Sequence, residues 1–81
     1  MKYKIGELLE IKHKATISIN TVGDYRAEVA NAGQLFLIID CGPIGYTLLS
    51  QESGNSSLWN VGGNAYSNLD SVMEDNFKKV V

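Results

Sequence analysis

Hydrophobic and polar residues alternate along the N-terminal part of the chain with a period of two, which predicts strands with one buried face. Three such stretches follow one another at residues 2–12, 14–22 and 24–29. Gly6 interrupts the first and predicts a bulge or a sharp bend there. The period of the third stretch favours a strand. Because this stretch also contains Ala and Glu, which are good helix formers, a helix is the alternative.

The middle of the chain predicts a central hairpin. A turn at residues 31–33 precedes residues 34–41, which are apolar at both odd and even positions and predict a strand buried on both faces. Pro43 lacks an N–H and has a fixed φ, so it ends this strand, and strand character resumes at residues 44–49. A turn-rich segment then leads into a short strand at residues 58–61.

The last part of the chain predicts one short helix and a terminal strand. Residues 68–76 form the helix, with Ser67 or Asn68 as its cap and its apolar residues on one face. Residues 77–81 predict a strand that pairs with the first strand and covers its edge. We therefore predict a mainly β fold, a small antiparallel barrel of about six or seven strands with one short C-terminal helix, in a single domain of residues 1–81.

Composition supports one small globular domain. The chain has 81 residues, of which 44% are hydrophobic and 20% charged, an ordinary balance for a folded protein. A chain of this size builds only a thin core, which association with further copies would help to stabilise, so we expect a homo-oligomer.

Charge narrows the choice of partner. The net charge is −2, and no Lys or Arg occurs from Ala27 to Phe77. This distribution disfavours general binding to nucleic acid, which needs a dense positive field.

Signals for export and membrane insertion are missing from the printed sequence. The N-terminus has no apolar signal region, and the longest apolar run, at residues 35–39, is too short to span a bilayer. The single cysteine, Cys41, fits a reducing compartment and is expected to be an inert, partly buried thiol. We therefore expect a cytoplasmic protein without membrane contact.

Catalytic and metal-binding motifs are not recognisable. His13 is the only histidine and Cys41 the only cysteine, which is too few for a zinc site within one chain or for a recognisable catalytic triad. The glycines around Pro43 favour a hairpin turn over a phosphate loop. We expect no enzyme, no metal and no cofactor.

One set of residues suits an uncharged or singly anionic ligand. Aromatic and amide side chains at Trp59, Asn60, Asn64 and Tyr66 can stack on a flat ring and hydrogen-bond its edges. Arg26, the only arginine, can bind a phosphate, with a second subunit contributing further cations. The alternatives are that Trp59 is a core residue, that the amides satisfy turns and that Arg26 pairs with Asp24 or Glu28.

The predicted helix carries a second candidate surface. Its acidic residues Asp70, Glu74 and Asp75 suit a basic partner, such as a nucleic-acid-binding protein of a host. The apolar side of the same helix is expected to pack on the core.

Two segments resemble known small proteins. Residues 3–12 resemble the first strand of SH3-like small barrels, where a hydrophobic-Gly-acidic step precedes an alternating strand. Residues 44–81 are similar to short barrel-like proteins encoded by bacteriophages, with Leu48-Leu49, a Gly turn, Leu58-Trp59, a short helix and Lys79-Val80-Val81.

The resemblance implies an accessory protein that binds or sequesters a host component, including a component of host defence. Our first hypothesis is thus a non-enzymatic inhibitor of a host protein. The alternative is a barrel that binds a nucleotide or single-stranded nucleic acid. It would bind through Trp59, Tyr66 and the N-terminal lysines, which are Lys2, Lys4, Lys12 and Lys14.

Overall fold

The computed structural model describes residues 3–21, 24–42, 45–60 and 69–80. Within these ranges seven strands and one helix follow one another along the chain. They are β1 (Leu8–Ile11), β2 (Ala15–Thr21), β3 (Asp24–Ala30), β4 (Leu35–Cys41), β5 (Gly45–Ser50), β6 (Ser56–Asn60), α1 (Leu69–Asn76) and β7 (Phe77–Lys79).

The strands form two antiparallel sheets. A five-stranded sheet has the order β6-β5-β4-β1-β7, and β2 and β3 form a separate hairpin. The predicted mainly β fold with one short helix is confirmed. The described strands do not close into a barrel, because β2 lies beside β6 without ladder pairing between them.

The terminal strand pairs with the first strand and covers its edge, as predicted. Ile11 lies opposite Phe77, and Glu10 lies opposite Lys78 with 3.2 Å between the charged groups. The central hairpin of β4 and β5 is also confirmed, with a register shift between Ile38 and Asp40. The order along the sheet thus brings both ends of the described chain together.

The core lies between the five-stranded sheet on one side and the hairpin and helix on the other. The sheet contributes an inner face of fully buried residues, and β2 contributes Ile17 and Ile19 at 3% exposure each. Met73 of α1 is fully buried, which confirms that the apolar side of the helix packs on the core. The largest fully buried side chains among the described residues are Tyr46, Phe36, Phe77, Leu9, Ile11, Ile38, Leu48 and Met73.

The first strand is shorter than predicted. Regular pairing begins at Leu8, because Gly6 adopts φ +92° and bends the chain before it. The bend predicted at this glycine is confirmed.

Two predictions about burial are wrong. The first concerns β4, which is buried on only one face of the sheet. Phe36 and Ile38 on that face are buried. On the other face Leu35 and Leu37 are half-buried, and Ile39 is 40% exposed. The described elements cover one face of the five-stranded sheet and leave the other uncovered.

Strand β3 is a strand, as its period favoured, but its alternating apolar residues Ala27 and Val29 face outward. Val29 is 53% exposed and Ala27 is exposed, whereas Glu28 is half-buried. The register with β2 explains this, because Glu28 lies opposite the buried Ile17 and directly opposed residues share a face.

No helix in the described ranges is long and apolar enough to cross a bilayer.

Candidate functional site

A pocket lies at the seam between the two sheets, where the edge strand β6 faces the edge strand β2. Its volume is about 210 Å³. The residues that line it are Thr16, Ile17, Ser18, Leu58 and Trp59. The pocket combines apolar walls with neutral hydroxyl groups, a composition that suits an uncharged group.

Trp59 is half-buried and packs against the core while it lines the pocket. Its ring meets Phe77 edge to face with 5.1 Å between the ring centroids, and its Nε1 donates a hydrogen bond to Ser57 Oγ over 3.2 Å. The single donor of the indole is thus engaged within the chain. What Trp59 offers to a bound group is apolar ring surface. Trp59 thus packs against the core and also lines the pocket.

Exposed hydrophobic side chains border the pocket. Leu58 is 41% exposed, and Val29, at 53%, lies directly opposite Thr16 in the β2–β3 register. We use the name seam patch for the pocket together with this flank, that is for Thr16, Ile17, Ser18, Val29, Leu58 and Trp59. A small pocket with an exposed apolar rim is typical of surfaces that receive an anchoring side chain from a partner.

The predicted ligand-binding residues fall in different places. Trp59 lines the pocket, and Arg26 is exposed on β3, one residue pair beyond the pocket-lining Ser18. Asn60 ends β6, and its side chain lies outside the described part of the structure. Asn64 and Tyr66 lie outside the described residues altogether. The structure therefore brings Trp59 to the pocket and places Arg26 on the adjoining strand.

Glu28 ties the hairpin to the turn between β5 and β6. Its carboxylate accepts hydrogen bonds from Ser53 Oγ at 2.9 Å and from Asn55 Nδ2 at 3.2 Å. Charge-assisted hydrogen bonds of this kind are stronger than neutral ones. They fasten β3 to the turn that leads into β6, which holds the seam together at a point outside the pocket.

The predicted partner-binding residues of α1 have unequal surroundings. Asp70 accepts a hydrogen bond of 2.7 Å from the hydroxyl of the buried Tyr46. Glu74 is half-buried, and its backbone carbonyl accepts a hydrogen bond from Lys12 Nζ. Asp75 is exposed. Asp70 therefore has a structural task, since its carboxylate anchors the buried Tyr46 hydroxyl.

Tyr46 is protonated at neutral pH and acts as a donor. Burial, followed by the hydrogen bond that it donates to Asp70, raises the pKa of Tyr46 to about 12. Burial also raises the pKa of Tyr3, against the opposing charge of Lys79, whose Nζ lies 5.2 Å from the Tyr3 ring centroid. The two tyrosine rings meet edge to face at 5.5 Å. This cluster fastens the start of α1 to β5.

Among the residues that the structure describes, no group of three or more His, Cys, Asp or Glu is placed to hold a metal ion. Cys41 is a free, half-buried thiol whose Sγ lies 3.6 Å from the carbonyl oxygen of Tyr3. Its partial burial is as predicted.

Comparisons with protein-family models, with curated proteins and with solved structures find no match to this chain.

Sequence reasoning missed most of the seam patch. Thr16, Ile17 and Ser18 belong to a strand more than 35 positions from Trp59, and nothing local marks them as its neighbours. The available signal was the aromatic residue itself in a short strand bounded by turns. Its partners across the seam follow from how the hairpin folds over the sheet.

Proposed function

We propose that this chain is a non-enzymatic binding protein that blocks or sequesters another component, and that the seam patch is its principal contact surface. The observation that carries this proposal is the pocket of about 210 Å³ at the seam, walled by Trp59 and flanked by the exposed Leu58 and Val29. Aromatic and aliphatic surface around a depression is the arrangement from which protein-binding hot spots are built.

The size of the pocket favours a protein partner. Sites for small molecules commonly enclose roughly 300–1,000 Å³, more than the seam offers. One apolar side chain of a partner fits this volume, and the exposed flanks extend the contact around it. Because none of the described residues that line the pocket is charged, we expect the inserted group to be uncharged.

A nucleotide or a single strand of nucleic acid is the second candidate. The ring surface of Trp59 in the pocket and the position of Arg26 on the adjoining strand support it, since a base stacks on the first and a phosphate pairs with the second. The neutral hydroxyls of Thr16 and Ser18 suit the edge of a base.

The acidic helix supplies a second contact in the first hypothesis. Glu74 and Asp75 are the residues to test there, because a change at Asp70 would also break its hydrogen bond with the Tyr46 hydroxyl. A basic partner that reaches both the seam patch and α1 would be sensitive to reversal of these two charges.

We also propose that the fold is an open relative of the SH3-like barrel and that the protein is a bacteriophage-type accessory factor acting in the cytoplasm on a host component. The resemblances in residues 3–12 and 44–81 support this assignment. So does the combination of a bent first strand, an antiparallel meander and one short helix before the last strand.

The proposal is tested by placing a lysine side chain, which is long and positively charged, at the mouth of the pocket. Thr16 is exposed on β2 and lines the pocket, so Thr16→Lys obstructs it without removing core packing. Ala32→Lys makes the same change of charge in the exposed turn between β3 and β4 and is the matched control. Proteins retained from a bacterial lysate by the wild type and both variants are quantified by mass spectrometry.

The proposal predicts one defined protein whose retention falls at least about tenfold in Thr16→Lys and stays unchanged in Ala32→Lys. Equal retention by all three proteins contradicts a role for the seam patch. The second candidate is tested by titrating adenosine monophosphate and a short oligothymidylate against Trp59 fluorescence. Saturable quenching that Thr16→Lys abolishes favours the nucleotide hypothesis over the protein partner.

A further inference from the structure

The side of the five-stranded sheet that faces away from the hairpin and helix carries a continuous apolar row. Register places Leu8, Leu37 and Leu49 directly opposite one another on β1, β4 and β5. Val80 extends the row, because its N–H donates to the Leu8 carbonyl over 3.0 Å. The residues that alternate with these leucines along each strand are fully buried in the core, so the row lies on the opposite face.

Large hydrophobic side chains on this face reach solvent. Val80 is 43% exposed, Leu58 41% and Ile39 40%, and the leucines between them are half-buried. We call this surface the outer face, and it consists of Leu8, Leu35, Leu37, Ile39, Leu49, Leu58 and Val80. No described strand or helix packs on it. A contiguous apolar surface of this kind marks an interaction site.

The sequence of β4 indicates that the outer face lacks a second packed layer. This strand is apolar on both faces, a pattern typical of strands with a packed layer on each side. Its inner residues Phe36 and Ile38 are fully buried, whereas Leu35 and Leu37 are not. A second layer over the outer face would complete their burial.

We propose that the second layer is the outer face of another copy of this chain, packed sheet against sheet in a symmetric dimer. Five strands at about 4.8 Å spacing are about 24 Å wide. The two or three outward residues of each strand extend over about 13 Å in the short β1 and β7 and over about 20 Å in the longer strands. The two faces together would bury about 600–1,000 Å², the size of a weak or transient contact. A dimer of modest affinity is therefore expected.

The charges on this surface are compatible with self-association. The central row is uncharged, as the core of an interface should be. One end carries both signs in the Glu10–Lys78 pair, and the other carries the exposed Asp40. Two copies therefore meet through a neutral centre.

The dimer is independent of the proposed function, and its test uses residues outside the pocket. Leu58 belongs to both surfaces and is therefore left unchanged. Leu37 lies at the centre of the outer face, so Leu37→Asp places a charge in the interface. Ala27→Asp makes an apolar-to-acid change at an exposed strand position of the hairpin and is the matched control.

Sedimentation equilibrium of the full chain between about 1 and 500 µM measures the association. We expect a monomer–dimer equilibrium with a Kd of about 1–100 µM, which Leu37→Asp weakens at least about 100-fold and Ala27→Asp leaves within about threefold. A monomer throughout this range overturns the proposal. So does a dimer that survives Leu37→Asp with its far-UV circular dichroism unchanged.

Dilution of the wild type followed by NMR keeps the proposal testable if Leu37→Asp does not fold. Amide signals of Leu8, Leu37 and Leu49 should shift with concentration, while those of Ile17 and Ser18 should not. Shifts confined to the hairpin or helix would overturn the outer-face dimer. Thr16→Lys, which tests the seam patch, should dimerise like the wild type, so that failure of one proposal is distinguishable from failure of the other.

Discussion

The link between Tyr46 and α1 offers a quantitative test of the structure. Tyr46→Phe removes one hydroxyl and leaves the ring, which is fully buried and packs edge to face on Tyr3. The hydroxyl donates to Asp70 at 2.7 Å and lies 3.4 Å from the backbone nitrogen of Tyr3. The substitution therefore isolates the hydrogen bonds from the packing.

The expected loss follows from these contacts. A hydrogen bond to a charged group contributes about 1.5–3 kcal/mol to stability. Asp70 is half-buried and regains water when the hydroxyl is removed, so we take the lower end, about 1.5 kcal/mol. For a domain of this size, that loss lowers Tm by about 6–12 °C. The loss in the free energy of unfolding is measured by urea unfolding followed by circular dichroism and Trp59 fluorescence.

The same hydroxyl predicts a dependence on alkaline pH. Burial and the hydrogen bond to Asp70 raise the pKa of Tyr46 from its ordinary value of 10.0 to about 12 in the folded chain. Between these values the unfolded state has lost the proton that the folded state keeps, so stability falls as pH rises. The slope from Tyr46 is at most about 1.4 kcal/mol per pH unit. Tyr46→Phe should unfold with a shallower dependence between pH 10 and 12.

Asp70→Asn is the control, because an amide oxygen still accepts the hydrogen bond. Its loss should be smaller than that of Tyr46→Phe, and the double variant should lose less than the sum of the two. A loss below about 0.5 kcal/mol in Tyr46→Phe, or an alkaline slope equal to that of the wild type, would refute the reasoning.

Two further substitutions test other parts of the fold. Gly33 has φ +94° with open space around the position of a Cβ, so Gly33→Ala should cost about 1 kcal/mol through backbone strain alone, measured by urea unfolding. Ala32→Gly, its neighbour in the turn, should cost less, and equal losses would contradict the strain argument. Glu28→Ala should remove the contacts to Ser53 and Asn55 and increase amide exchange in β2 and β3 at least about threefold, while β4 and β5 keep their protection. Uniform change across both sheets would contradict a local role for Glu28.

Elements and turns were largely predictable from the sequence because their causes are local. Alternation with period two marked the strands, and glycines marked bends at positions where φ is positive, as at Gly6 and Gly33. The pairing of the last strand with the first was also predictable, since a terminal strand covers the edge that the first strand would otherwise expose.

The candidate site was predictable only at Trp59. Alternation divides a strand into two faces but does not state which face meets the core. In β3 the apolar face of Val29 points outward because Glu28 lies opposite Ile17, a consequence of register with a neighbour. The same limit hid the uncovered face of β4, where both sets of side chains are apolar.

The sequence by itself determined the strand-rich architecture, the short helix, the positions of the turns and the scarcity of groups for catalysis. These follow from periodicity and from glycine and proline geometry, and the counts of one histidine and one cysteine limit only a zinc site or a histidine-based triad. Only the tertiary structure decided that β2 lies beside β6, that Trp59 lines a pocket with Thr16, and that the leucines of the outer face lie in one row. Such neighbours are far apart along the chain, and their contacts depend on packing and register, which no local pattern encodes.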